Sequence, residues 1–169
     1  LAVTTDTSIG SVIDAVAVAP PLLRAEWLGL VRRAGANAAP LTSREERAAR
    51  TLCAFANTSG GLLLVGVTDA GRVHGVHHPD EVCTKLSELT LEWLRPALRV
   101  QLQVVEVNGP RVVACRVPFS KERPHAVLFP DGTTEFVVRV GASNRVADGP
   151  TLRALELDKR SRKGVTPLE

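Results

Sequence analysis

Apolar positions recur along this chain with two periods, and the switches between them mark out the elements. From Thr42 the period is helical, with Ala48, Leu52, Phe55 and Ala56 on one face. Two overlapping capping boxes, Thr42 with Glu45 and Ser43 with Glu46, predict the start of that helix. Asn57 and Gly60-Gly61 predict its end. Leu62 to Val67 is an unbroken apolar run, the pattern of a central strand covered on both faces. Asp69-Ala70-Gly71 reads as a turn, with Arg72 to Val76 returning as a short strand. Pro79 to Leu94 is helical again, with Val82, Leu86, Leu89 and Trp93 (or Leu94) on one face, and Pro96 stops it. Val100 to Val107 alternates, Asn108-Gly109 signals a hairpin turn, and Arg111 to Val117 is the partner strand. A polar loop, Ser120 to Pro124, leads to a strand at His125–Phe129. The turn Asp131-Gly132 then pairs that strand with Glu135–Val140. Gly141 to Arg145 reads as a loop and Pro150 to Arg162 as a last helix.

The first part of the chain is less patterned. Residues 1–7 read as a leader, Ser8 to Ala19 as a short helix or irregular segment, and Arg24 to Arg32 as a strand. The expected division is a leader over 1–23, one domain over 24–162 and a polar tail over 163–169. Strand, helix, hairpin, helix, meander, helix is an α+β plan: a largely antiparallel sheet with about three packed helices.

Composition narrows the class. A chain of 169 residues with 44% hydrophobic residues suits one domain with a real core. With two Trp, four Phe and no Tyr, that core must be built mainly from Val, Leu and Ala. The net charge of +3 permits an anionic partner without demanding one. Cys53, Cys83 and Cys115 are odd in number and irregularly spaced, which predicts buried thiols in a reduced, cytoplasmic protein. No run reaches the roughly 20 apolar residues of a membrane span. Val12 to Leu23 lacks the basic leader of a signal peptide, Asp6 being the only charge before it. There is no Met, so the chain is expected to start inside a longer product or after trimming.

Four patches, in order, resemble the Schlafen/AlbA-2 domain family. They are the capped helix running into Ala54-Phe55-Ala56-Asn57-Thr58 and Gly60-Gly61; Leu64-Val65-Gly66-Val67 with Asp69-Ala70-Gly71 and Val73-His74-Gly75; Ser120 to Pro124-His125; and Phe136 through Arg145. Together they span roughly residues 24–157. The resemblance implies nucleic-acid binding, and in bacteria a DNA-binding or transcriptional-regulator module. It also implies paired lobes, hence a homodimer. In animal Schlafens the related fold cuts RNA with three carboxylates. Asp69 matches the one after the Gly-Val strand, and Glu26 matches a strand glutamate. Pro21 stands where the other glutamate falls. The alternative function is therefore a metal-dependent endoribonuclease, with Mg or Mn held by Glu26 and Asp69. The thinned acidic set predicts no robust nuclease activity.

The remaining chemistry is cationic. Lys121 and Arg123 lie in the loop before Pro124, and Arg139 and Arg145 flank Gly-Ala-Ser143-Asn144. Arg44, Arg47 and Arg50 share a broad side of the capped helix. Phosphate recognition uses such clusters, and so do ordinary solvated surfaces paired with Glu45, Glu46, Glu122 or Asp148. No aromatic interleaves with these cations, which predicts backbone-led binding. The expected hairpin would bring Lys121, Arg123, Arg139 and Arg145 to one end of the sheet. Asn57, Thr58, Gly60 and Gly61 read as the structural corner, and Asp69 as a turn residue unless it holds a metal. His74, His77, His78 and Cys83 lack the paired spacing of a zinc site. The absence of Gly-Lys-Ser/Thr argues against a phosphate loop, and no Gly-x-Ser-x-Gly elbow is present. A protein-interaction or dimerisation module is the third reading.

Overall fold

The computed structural model describes residues 16–19, 43–129 and 131–163. Within them the chain is α+β, as the order of elements predicts. The helices are α1 (Ser43–Asn57), α2 (Pro79–Glu92) and α3 (Gly149–Lys163). The strands are β1 (Val16–Ala19), β2 (Gly61–Val65), β3 (Leu94–Arg95), β4 (Gln101–Glu106), β5 (Arg111–Val117), β6 (Ala126–Leu128), β7 (Thr134–Glu135), β8 (Val137–Val140) and β9 (Ser143–Val146). The main sheet has the order β1-β2-β5-β4, so β2 lies in its interior. A second sheet runs β3-β6-β7, and β8-β9 is a separate hairpin. Among the described residues only β1 with β2 is parallel.

The alternating pattern decides what is buried. Leu63 and Val65 of β2, with Val113, Cys115 and Val117 of β5, form the apolar face of the sheet. Leu52 and Phe55 of α1 and Val82, Leu86 and Leu89 of α2 belong to the same buried core. Each such side chain contributes about 1.5–3 kcal/mol by leaving water. Lys85 of α2 lies buried against Glu45 of α1 at 2.8 Å, a polar tie that fixes how the two helices meet. The β4–β5 hairpin turns at Asn108 (φ 52°) and Gly109 (φ 103°), the left-handed pair that the Asn-Gly signal predicts.

Several local expectations are corrected. The segment read as a short helix or irregular ends in a strand, β1, on the edge of the main sheet. Beyond β2 the chain leaves the sheet, and Arg72 to Val76 contributes only a bridge between Val67 and Val73. On its second face β2 is half-buried at Leu62 and Leu64 rather than fully covered. The expected strand Glu135–Val140 is divided: β7 pairs with β6, and β8 pairs with β9. Gly141 to Arg145 is therefore a tight turn and the start of a strand, not a loop. The expected strand Arg24–Arg32, with Glu26, lies outside the described residues.

Candidate nucleic-acid interface

The corner between α1 and β2 organises this part of the molecule. Gly60 adopts φ +79°, and a Cβ there would stand 2.7 Å from the Val117 carbonyl, so only glycine fits. Its N–H donates to the Phe55 carbonyl at 2.8 Å and closes the helix end. A Cβ on Gly61 would run into the Phe55 ring. Asn57, 1% exposed, reaches across to two other segments. Its Nδ2 donates to the carbonyls of His125 and Val137 at 2.8 Å each, and its Oδ1 accepts the His125 N–H at 2.7 Å. The Cys53 thiol adds a bond to the His125 carbonyl at 3.2 Å. Burial pushes that thiol up to about 12, so it stays protonated and donates.

Thr58 links two of the candidate cations. Its Oγ1 accepts the Arg139 backbone N–H at 3.0 Å, and its carbonyl accepts Arg123 Nη1 at 3.0 Å. The same Arg123 nitrogen reaches the Asn57 carbonyl at 3.3 Å. Arg123 Nε donates to Asp158 at 3.0 Å, Nη2 pairs with the same carboxylate, and the guanidinium lies 4.2 Å from the centre of the Phe119 ring. Arg123 thus meets the open carbonyls at the negative end of α1 and pins α3 to them. Four of its five N–H donors are thus engaged within the fold.

Arg139 differs. Its Nη1 donates to Asn144 Oδ1 at 2.8 Å, and the guanidinium lies 5.3 Å from the Phe55 ring centre. Asn144 Nδ2 in turn donates to Thr51 Oγ1 at 2.8 Å, and Thr51 donates to the Arg47 carbonyl at 2.9 Å. Desolvation lowers the Arg139 pKa, although a guanidinium remains charged. Arg50 shows the ordinary solution: Glu135 at 2.8 Å and Glu46 at 3.4 Å hold its pKa up. Of the half-buried arginines among the described residues, Arg50 and Arg123 have carboxylate partners and Arg139 has none.

The expected convergence of four cations is only partly formed. Thr58 brings Arg123 and Arg139 together. Register pairs Arg139 with Asn144 and Val138 with Arg145, so Arg145 and Ser143 occupy the opposite face of the hairpin. Lys121, Arg145, Ser143, Arg44 and Arg47 are exposed. Arg139 braces the β8–β9 hairpin through Asn144. Asp69 sits exposed beyond the far end of β2, roughly 15 Å of strand from the α1 corner. Among the described residues no group of three or more His, Cys, Asp or Glu could hold a metal ion.

The sequence reading also missed participants. Phe119 stands exposed at the edge of the loop it read as polar, and Thr51 and Asp158 gave no signal at all. In the sequence His125 opens a strand and closes the third patch, and nothing there signals its partners. Its ring is 1% exposed, with Nδ1 2.7 Å from the Pro96 carbonyl and Nε2 2.6 Å from Ser120 Oγ. A carbonyl only accepts, so Nδ1 carries the proton and Nε2 accepts from Ser120. Burial lowers this histidine's pKa and keeps it neutral.

A family model described as Schlafen, AlbA_2 matches residues 37–148. The chain belongs to that family. The match takes in α1, the corner and every strand from β2 to β9. Among solved structures, the DIP2311 protein from Corynebacterium diphtheriae is similar at 23% identity and a TM-score of 0.53. The similarity covers 80% of this chain and 25% of that one, so this chain spans about a quarter of its length. The N-terminal domain of a DNA helicase RecG-related protein from Nitrosomonas europaea matches at 28% identity and a TM-score of 0.42, over 59% of this chain and 75% of that one. Among the described residues no helix of this Schlafen/AlbA_2 chain is long and apolar enough to cross a membrane.

Proposed function

We propose that this Schlafen/AlbA_2 domain binds nucleic acid through its phosphate backbone. The contacts are Arg139, Arg47 and Lys121, with Arg145 and Ser143 on the outer face of the hairpin. The observation that carries the reading is Arg139: half-buried, oriented by a neutral amide, and without a carboxylate among the described residues. Partial burial of a cation costs free energy that an acid normally offsets. A phosphate oxygen would supply the missing charge, and a guanidinium is the side chain best shaped for it. Asn144 fixes the planar group in advance, which lowers the entropy lost on binding. Backbone contacts carry no sequence information, so DNA and RNA both fit.

A salt titration of binding tests it. Contacts to about three phosphates give a log–log slope of roughly −3 on duplex DNA. Arg139→Gln keeps a donor for Asn144 and removes the charge. It is expected to weaken binding by about 10-fold or more and to flatten the slope by about 0.9. An unchanged slope in a normally folded variant would refute the assignment.

A further inference from the structure

Strand alternation turns one arginine of β5 away from the helices. Val113, Cys115 and Val117 point into the core, so Arg116 points to the opposite face of the main sheet. Gln101 of β4 stands directly across from it, and Gln103 follows on the same face. The positions that β2, β5 and β4 turn to this face carry no Asp or Glu. Arg116, Gln101 and Gln103 are exposed, and so is Arg99, two residues ahead of Gln101. Neither arginine has a polar or carboxylate partner among the described residues.

The place of this group sets it apart from an ordinary solvated surface. Gly61 pairs with Val117 and Gln101 with Arg116, so β2 starts, β5 ends and β4 starts at one end of the sheet, the end of the α1 corner. The segment leaving β5 crosses from Arg116 to the helix side and is tied down there. The Ser120 N–H donates to the Ala56 carbonyl at 3.4 Å, and Arg123 donates to the carbonyls of Asn57 and Thr58. Lys121 is exposed between these two ties. Thr58 carries the path on to Arg139, whose backbone N–H its hydroxyl accepts. Leu62, the β2 neighbour of Arg116, lies four residues after Thr58, within about 14 Å of chain. A few nucleotides bridge that distance.

We infer that Arg116 and Arg99, with the amides of Gln101 and Gln103, form a second phosphate-binding patch, and that a single strand of nucleic acid runs from Arg139 past Lys121 onto the outer face of the sheet. Unpaired guanidinium groups and neutral amides both donate to phosphate oxygens. The two patches lie on opposite sides of the sheet, so a ligand that meets both must turn round its end. A duplex is stiff over far more than this length, whereas a single strand bends freely. This inference rests on the phosphate reading above, with Arg139 and Lys121 holding the first part of the strand.

Binding is titrated with salt on an oligothymidylate of about 16 nucleotides and on a duplex of the same length. The double variant Arg99→Gln, Arg116→Gln removes two charges from exposed positions. Two lost contacts on a single strand flatten the log–log slope by about 1.4 and weaken binding about 25-fold near 0.1 M salt. The duplex slope is expected to stay as in the parent. Arg99→Lys with Arg116→Lys keeps the charges and should keep the slope. Arg72→Gln with Arg111→Gln makes the same change of charge at the other end of the sheet and should leave both slopes alone. An unchanged single-strand slope in the Arg99 and Arg116 variant overturns the second patch, and the phosphate reading stands where Arg139→Gln still flattens it. Equal flattening by the Arg72 and Arg111 pair also overturns the patch, because only net charge would then count. Flattening as large on the duplex as on the single strand overturns the path round the sheet. If the wild type binds neither ligand, the phosphate reading fails and takes this inference with it.

Discussion

Asn57→Ala is the sharpest test of how the corner is built. The substitution deletes one amide and leaves three buried backbone groups short of a partner: the carbonyls of His125 and Val137 and the His125 N–H. The His125 carbonyl keeps the Cys53 thiol at 3.2 Å, while the thiol lies 4.0 Å from the Val137 carbonyl, too far to compensate. Two groups are thus orphaned and one is weakened. A buried group without a partner costs about 1–3 kcal/mol. Allowing for some relaxation, the loss is about 3–5 kcal/mol, against about 5–15 kcal/mol for a whole domain. Urea unfolding of both proteins, read at unchanged m, gives the difference directly. Asn57→Asp is the companion variant. It keeps the acceptor, loses both donors and turns a carboxylate toward two carbonyls, so its loss at pH 7 should be at least as large. A difference below about 1 kcal/mol in Asn57→Ala would show that the amide does not hold the two segments, and the account of the corner would be wrong.

Two further outcomes follow from the same network. Arg123→Gln should cost about 2 kcal/mol, because helix carbonyls, Asp158 and the Phe119 ring all lose a partner, while the salt slope of binding stays as in the parent; a slope flatter by about one unit would make Arg123 a phosphate contact after all. His125 is neutral in the fold with a lowered pKa, whereas in the unfolded chain it takes up a proton near pH 6.5. The unfolded state therefore binds more protons just below that pH. Stability should be level above about pH 6.5 and fall as the pH drops toward the folded-state pKa. Thermal melting from pH 7 to pH 5 checks this, His125→Asn should flatten the profile, and a wild-type Tm equal at both ends would refute it.

The elements legible in the sequence are those fixed by local rules. α1 has its capping residues and apolar stripe, β2 its apolar run, and the β4–β5 hairpin its Asn-Gly turn. Strand β9 was not legible, since Ser143-Asn144-Arg145 has no apolar alternation. It becomes a strand because Asn144 bonds Arg139 across the hairpin and Thr51 on α1, 93 residues away. The division of the expected 135–140 strand has a similar cause. At Phe136 the chain changes partners, its carbonyl accepting the Ala147 N–H at 2.7 Å. Asn57 before a glycine pair reads as an ordinary helix end, and nothing near it announces bonds to residues 125 and 137. For the candidate site the residue types were readable but their partners were not. Lys121, Arg123, Arg139 and Arg145 looked alike in sequence. Asp158 takes up one of them, Asn144 orients another, and strand register sends a third to the opposite face.

That sorting bears on how an anion could approach the end of a helix at all. The carboxyl end of α1 carries the negative pole of its peptide dipoles, which disfavours a phosphate by about 0.3–1 kcal/mol. Here the Asn57 and Thr58 carbonyls face Arg123 rather than solvent. The pole is thereby offset by a cation that is itself balanced by Asp158. Beyond this pair lies Arg139, whose guanidinium meets a neutral amide and the Phe55 ring and, among the described residues, no carboxylate. The two arginines then divide the work. On the phosphate reading proposed above, Arg123 would make the helix end tolerable to an anion, and Arg139 would supply the attraction. Removing Arg123 would re-expose the dipole and loosen the fold without changing how many phosphates are neutralised. Removing Arg139 would leave the fold's ion pairs intact and subtract one phosphate contact. Affinity alone cannot separate these two roles, because both losses weaken binding. The salt slope can, since it counts neutralised phosphates rather than total free energy.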